Sequence, residues 1–283
     1  MSGVFLRTQT RSRTPSADTF VLTLWTNDPE LARRADAAHV DRIGVDLERN
    51  GKAERQEGRG TWISPHREED LDVVGAALSH AELFARVNPM HPGSACEVER
   101  ALARGARVLM LPMVESAEQA RGFVEIVDGS ATVVALVETR EGVARLPEIV
   151  AVDGVDEVHL GINDLALSMG VRNRWLALDG DLAIVAGRVV RAAGKRFGLG
   201  AVGRPGDRGL PVPVELVYAE CARAGATAAL LARSFFRDGL NGDLETAIAR
   251  LRRELAACSK LDEAELAAAH RRLLRCAATA PSF

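Results

Sequence analysis

Short, uniformly apolar runs alternate with stretches of helical period along most of the chain. The runs are FVLTLW (20–25), RIGVDLE (42–48), LFARVNP (83–89), VLMLPM (108–113), TVVALVE (132–138), EVHLGIN (157–163), GLGAVG (198–203) and TAALLA (227–232). Most lack the strict polar alternation of a half-exposed strand, which fits a sheet covered on both faces. Between them, PELARRADAA carries Asp28 as N-cap with Pro29 at the first helical position. Residues 64–79 open Ser-Pro and are acidic early, and 116–127 open on a capping box of Ser116 and Gln119. Residues 140–150, 181–196 and 213–224 complete the helical expectations. Alternating β and α predicts a parallel sheet, and eight units predict closure into a (β/α)8 TIM barrel over residues 20–238. An open doubly wound sheet is the structural alternative, but LWTNDPE after the first run is no GxGxxG.

Beyond the eighth run the pattern changes. Residues 243–257 and 262–275 are rich in Ala, Leu, Arg and Glu. Leu244, Ile248, Leu251 and Leu255 stand at helical spacing, and Asp262 with Glu265 caps the last helix. The expectation is a C-terminal helical extension (239–283) whose apolar stripe packs on its own barrel or on a neighbouring subunit. Residues 1–19 are polar and basic without a hydrophobic segment, and are expected to be a flexible tail rather than a secretory signal.

The formal charge is −3, with no basic stripe and interleaved aromatics, so nucleic acid is not expected as a partner. No apolar run approaches the roughly 18 residues a membrane helix needs, so no membrane partner is expected either. The four cysteines lack CxxC spacing and are expected to be reduced thiols in a cytoplasmic protein.

Reacting groups of a TIM barrel gather at the C-terminal ends of its strands. There the sequence places Asp46, Glu48 and Arg49, then Arg86 and Asn88, Glu115, Glu138, Asn163 with Asp164, and Arg233 with Ser234. Glu138 and Asp164 are read at the ends of adjacent strands, about 4.8 Å apart. Two carboxylates so placed repel unless a cation lies between them, and Mg²⁺ or Mn²⁺ with waters left for substrate is one solution. The alternative is that each only caps or salt-bridges a loop. Arg86 beside such a pair suits an anionic, carbonyl-bearing substrate.

The strings VDLE (45–48), RVNP (86–89), LPMVES (111–116), LVET (136–139) and GINDLALSMG (161–170), in this order over residues 20–238, resemble the HpcH/HpaI aldolase and citrate lyase β-subunit superfamily. The resemblance implies a TIM barrel, a divalent metal and an enolate intermediate. Glu138 and Asp164 would ligate the metal. Arg86 would hold the substrate carboxylate or steady the enolate oxygen. Asp46 and Glu48 would bind metal-bound waters or substrate, while Asn163, Arg49, Lys52 and Arg55 join the substrate-binding set, the last two as in citrate-lyase-like loops. Pyruvate aldolases of the family carry a catalytic His directly after the acidic residue of the second strand, where this chain has Arg49. A guanidinium cannot accept a proton, so the base falls to a metal-bound water or to another histidine, with His66 the candidate. His91 is a further loop candidate. His159 is expected to be a packed core histidine, and His39, His80 and His270 ordinary helix residues. Met110, Met113 and Met169 read as core filler, and GAVGRPGDRG with Arg233-Ser234 as a phosphate-binding corner or a plain loop.

The leading expectation is therefore a metal-dependent carbon–carbon lyase, an aldolase joining or releasing a 2-oxo acid such as pyruvate and an aldehyde. A citrate- or malyl-thioester-lyase-like enzyme on an acyl-CoA or acyl-carrier substrate is the second reading. A catalytically silent ligand-binding barrel is the third. The unpaired stripe and the resemblance together suggest a homo-oligomer, a trimer or hexamer.

Overall fold

The computed structural model describes residues 19–51, 64–236 and 243–280. Eight parallel strands close into a barrel in chain order. They are β1 (Val21–Trp25), β2 (Arg42–Asp46), β3 (Glu82–Arg86), β4 (Val108–Leu111), β5 (Thr132–Val137), β6 (Glu157–Leu160), β7 (Arg196–Val202) and β8 (Ala228–Leu231). Each falls on one of the eight apolar runs. The helices α1 (Pro29–Ala37), α2 (Asp70–Ala76), α3 (Ser94–Ala103), α4 (Ala117–Val127), α5 (Arg140–Ala144), α6 (Leu146–Val150), α7 (Ile162–Met169), α8 (Leu182–Ala192) and α9 (Val214–Ala224) lie between strands. Two more, α10 (Leu244–Cys258) and α11 (Glu263–Thr279), follow the barrel. No described helix is long and apolar enough to cross a membrane. All four cysteines are free thiols.

Local chemistry explains most boundaries. Asp28 accepts the backbone N–H groups of Glu30 and Leu31 at the head of α1. Ser116 caps α4 through the Gln119 N–H, but the Gln119 side chain accepts from Glu115 rather than Ser116, so the box is only half formed. Pro147 splits the expected 140–150 helix into α5 and α6. Two expectations need correction. Residues 64–67 are not helical, and α2 starts only at Asp70. The sixth run ends as strand at Leu160, and Ile162 begins α7, which places Asp164 in a helical first turn instead of at a strand end. The alternation of buried Leu160, Ile162 and Leu165 suits either geometry, so periodicity alone does not separate them.

A small apolar cluster of Phe84, Val108, Met110, Val134 and Leu136 fills the barrel, with Trp25 stacked on Phe84 at 4.7 Å between ring centroids. Below it, at the N-terminal strand ends, is a buried ion network. Arg42 forks onto Glu157 at 2.8 and 2.7 Å, Arg42 also meets Glu82 at 3.3 Å, and Arg196 reaches Glu157 at 3.2 Å. Burial pushes the Glu157 carboxyl up, but Arg42 and His159 outweigh it and hold it far below the usual carboxylate range. Between Gly198 and Ala201, β7 carries one residue more than β8, and Gly200 takes the left-handed conformation (φ 50°) this bulge requires.

The C-terminal pair buries its stripe on the chain's own barrel. Ile248, Leu251, Leu255, Leu273 and Ala277 are all buried. Arg252 ties α10 to the Phe20 and His39 carbonyls and to Asp41. His270 of α11 is bonded to Glu220 of α9 at 2.9 Å, with Arg223 on the same carboxylate. The unpaired stripe that suggested a neighbouring subunit is therefore covered within one chain. The Asp262/Glu265 capping box is complete.

Candidate active site

At the C-terminal end of the barrel, Asp46 and Arg86 are register partners on β2 and β3. Arg86 donates from Nε to Asp46 Oδ1 at 2.8 Å and from Nη2 to Oδ2 at 2.7 Å, and Nη2 lies 3.4 Å from Glu48 Oε2. The Trp25 ring sits 5.7 Å from the guanidinium carbon. Burial would weaken the charge, yet Asp46, Glu48 and Glu138 drive the Arg86 pKa higher still. The fork fixes the guanidinium plane and leaves its Nη1 edge for a ligand. Both Asp46 oxygens accept from Arg86, so Asp46 positions that arginine, and Asp46 also lines the cavity at this end of the barrel. Glu48 is buried beside Arg86 and is not among the described residues that line the cavity.

Glu138 directly follows β5 and is 3% exposed. Its Oε1 accepts the Met113 N–H at 3.1 Å. Met113 adopts a left-handed backbone (φ 56°), unusual for a non-glycine residue, and so aims that N–H at the carboxylate. Met113 is thus more than core filler. Burial, then the negative charges of Asp164 and Glu48, push the Glu138 pKa up to about 8, against the smaller pull of Arg86. Gly161 supplies the space: a Cβ there would lie 2.5 Å from Glu138 Oε2. A carboxylate whose pKa is raised by burial and by neighbouring carboxylates is a donor set that a divalent cation would neutralise. Among the described residues no three His, Cys, Asp or Glu side chains form a ready-made cage. That suits Mg²⁺-like ions, which take one or two carboxylates and complete their shell with water and substrate. The residues present fit such an ion.

A cavity of about 590 Å³ opens here, lined by Asp46, His66, Arg86, Glu138, Asn163 and Asp164 among others. His66 is buried, and its Nδ1 accepts the Asp46 N–H at 3.0 Å. A neutral ring with this bond carries its proton on Nε2. Arg49 lies outside the cavity lining and donates from Nη2 to the His66 carbonyl, while its N–H is held by Asn88 Oδ1 at 2.8 Å. Arg49 thus braces the His66 backbone. His91 braces Glu97 and stays outside the lining. His159 reaches Glu157 at 3.4 Å as a packed residue and also borders the cavity. His39 and His80 lie in turns, not helices. Lys52 and Arg55 lie outside the described residues. Arg174 and Trp175, in a 3-10 turn (Arg174–Leu178), line the cavity although no strand-end signal marks them in the sequence.

The sequence profile of the HpcH/HpaI aldolase/citrate lyase family matches residues 20–204. The chain belongs to the HpcH/HpaI aldolase/citrate lyase family. A hydroxypyruvate/pyruvate aldolase of Roseovarius nubinhibens is 35% identical over 140 aligned residues, covering 37% of this chain and 53% of that protein. The chain thus spans about half the length of this curated HpcH/HpaI relative. Solved structures carry the fold further. An HpcH/HpaI aldolase from Desulfitobacterium hafniense aligns with a TM-score of 0.57 at 18% identity, covering 88% of this chain and 96% of that one. A citrate lyase beta subunit from M. tuberculosis, complexed with oxaloacetate and magnesium, gives 0.55 at 21% identity over 84% and 98%.

Proposed function

We propose that this HpcH/HpaI-family chain is a divalent-metal-dependent carbon–carbon lyase, an aldolase that joins a 2-oxo acid such as pyruvate to an aldehyde or releases it from the adduct. The observation that carries this reading is Glu138: buried, facing Asp164 and Glu48, and pushed up to about 8. Glu138 and Asp164 would hold Mg²⁺ or Mn²⁺. The ion supplies Lewis acidity, polarising a carbonyl beside the carbon that loses its proton. Arg86, locked by Asp46, offers its Nη1 edge to the substrate carboxylate or to the oxygen on which negative charge develops. His66 lines the cavity as a polar imidazole, and Arg49 and Asp46 hold it in place. Asn163, at the same wall, supplies a neutral amide to the ligand. The proton leaving carbon passes to a water in the cavity or to His66, which lines it. Glu48 acts from behind, through its charge on Arg86 and Glu138.

The thioester reading rests on the DLE string (46–48) and on Lys52 and Arg55, the last two of which lie outside the described residues. The silent-barrel reading leaned on Arg49; the His66 placement supplies an imidazole from another loop. We place the enzyme in the cytoplasm as a homo-oligomer, a trimer or hexamer, the latter now supported by family resemblance alone. The test is turnover of pyruvate with a panel of aldehydes. Chelator-sensitive adduct formation, abolished in Glu138→Gln, is expected; turnover indifferent to EDTA or to that substitution overturns the proposal.

A further inference from the structure

Asn88 and His91 follow β3, yet neither is among the residues that line the cavity, and the chemistry assigned to Glu138, Arg86 and His66 makes no use of them. Both are bonded to one buried carboxylate, Glu97, in the first turn of α3 (5% exposed). Glu97 Oε1 accepts from Asn88 Nδ2 at 2.8 Å, and its two oxygens share the Asn88 N–H at 3.2 and 3.3 Å. Glu97 Oε2 lies 3.2 Å from His91 Nε2, and the same ring takes the Gly93 N–H on Nδ1 at 3.1 Å. The β2–β3 ladder reaches Leu47, whose N–H meets the Arg86 carbonyl at 2.8 Å. Just beyond it, Asn88 Oδ1 accepts the N–H groups of Arg49 at 2.8 Å and of Asn50 at 2.9 Å. Arg49 in turn donates from Nη2 to the His66 carbonyl, while the Asp46 N–H holds His66 Nδ1 at 3.0 Å. Hydrogen bonds thus run without a break from α3, through the end of β3 and the root of the loop after β2, to the imidazole that lines the cavity.

We propose that Asn88 and Glu97 are positioning residues for the reaction, which through Arg49 set where the His66 imidazole stands in the cavity. The residue types fit the task. An amide side chain offers an acceptor and donors at once, so Asn88 serves backbone N–H groups on one side and a carboxylate on the other. Hydrogen bonds to an ionised acceptor are the stronger kind, and Glu97 supplies one away from water. Arg49 and Asn50 are exposed, so water takes the place of Asn88 Oδ1 when that oxygen is lost, and little stability goes with it. What goes is the fixed path to His66. A reacting group displaced by about 1 Å costs about 100-fold in rate. The inference rests on the aldolase reading for its effect on turnover, though not for its effect on the His66 ring.

The test uses the magnesium-loaded full chain and reverses one hydrogen bond. In Asn88→Asp the donor facing Glu97 becomes an acceptor, and two carboxylates meet. Adding Glu97→Gln returns a donor from the opposite side, while the new carboxylate keeps an oxygen for the Arg49 and Asn50 N–H groups. Two readouts are followed: the His66 ring-nitrogen NMR signals, identified by their loss in His66→Gln, and exchange of the pyruvate methyl protons. Asn88→Asp is expected to shift the His66 signals and to lower kcat for exchange about tenfold or more, with KM for pyruvate and magnesium affinity unchanged. The double variant is expected to restore both readouts. Arg49→Met cuts the last link at an exposed position and should act in the same direction as Asn88→Asp. His66 signals and kcat at wild-type values in Asn88→Asp or Arg49→Met, or a double variant no better than Asn88→Asp, overturn the proposal. Should Asn88→Asp not fold, Arg49→Met and the double variant decide: shifted signals in the first with wild-type signals in the second support the relay, and any other pattern overturns it. Should wild-type enzyme exchange no pyruvate proton, the aldolase reading fails and the His66 signals alone judge the relay. A shift in Asn88→Asp that the double variant reverses supports it; unmoved signals overturn it.

Discussion

Replacing Gly161 by alanine displaces the Glu138 carboxylate without removing it. Gly161 precedes α7 with φ −86° and ψ 99°, a conformation alanine adopts freely, so no backbone penalty enters. The added methyl would stand 2.5 Å from Glu138 Oε2, 2.8 Å from Glu138 Cβ and 3.2 Å from Leu136 Cδ1. Carbon–carbon and carbon–oxygen contacts settle near 3.5 Å, so the overlap approaches about 1 Å. Because Glu138 Cβ is itself in the way, the carboxylate cannot simply swing aside; the residue must move with its strand. Overpacking of this kind costs about 1–3 kcal/mol of stability. A misplacement near 1 Å at a reacting group costs about 100-fold in rate. Gly161→Ala should therefore remain folded, with a modestly lower Tm, while kcat/KM falls about 100-fold and magnesium affinity drops in calorimetry. Wild-type turnover and wild-type magnesium affinity in a folded Gly161→Ala protein would refute the placement of Glu138 at the reacting centre.

Without metal, the Glu138 pKa of about 8 lies above its ordinary value of 4.5, so the folded state holds a proton that the unfolded chain has released. Metal-free stability therefore falls as pH rises through that window, and magnesium should raise Tm more above pH 8 than near pH 6; a Tm increment independent of pH contradicts this. Titrations in buffers of different ionisation enthalpy should show about one proton released per magnesium near neutrality. Glu157→Gln leaves Arg42 buried with its fork broken, and should cost about 3–5 kcal/mol by chemical denaturation; a change under 1 kcal/mol would show the network is not what closes the barrel floor. The depressed Glu157 pKa gives stability that is present above the ordinary carboxylate range and lost as pH falls below it, and the variant should lose that acid limb. His66→Gln should lower kcat while leaving magnesium affinity in place; unchanged kcat would remove His66 from the site.

The barrel was legible in the sequence because buried parallel strands write themselves as short apolar runs, and all eight runs became strands. Where apolar spacing fits two geometries, legibility ended. Leu160, Ile162 and Leu165 suit a strand or a helix, so the start of α7 was hidden, and Asp164 meets Glu138 from a helical turn. The carboxylate pair was readable as residue types at βα junctions, whereas the neighbourhood of Glu138 was not. Neither the left-handed Met113 nor the space beside Gly161 has a sequence signature of its own. Arg49 shows the same limit: its hydrogen bonds to the His66 carbonyl and to Asn88 have no sequence signature. The helical pattern read from Ser64 fails because the chain there stays extended and lays His66 against Asp46.

The most direct measurement is exchange of the pyruvate methyl protons into deuterated water, followed by NMR with magnesium or manganese and then with EDTA. It asks only for enolate formation and needs no knowledge of the aldehyde. Metal-dependent loss of the methyl signal, stopped by EDTA and absent in Glu138→Gln, is the result expected. Exchange that persists without metal or in Glu138→Gln, or none under any metal, would contradict a metal-dependent enolate built on Glu138 and Asp164.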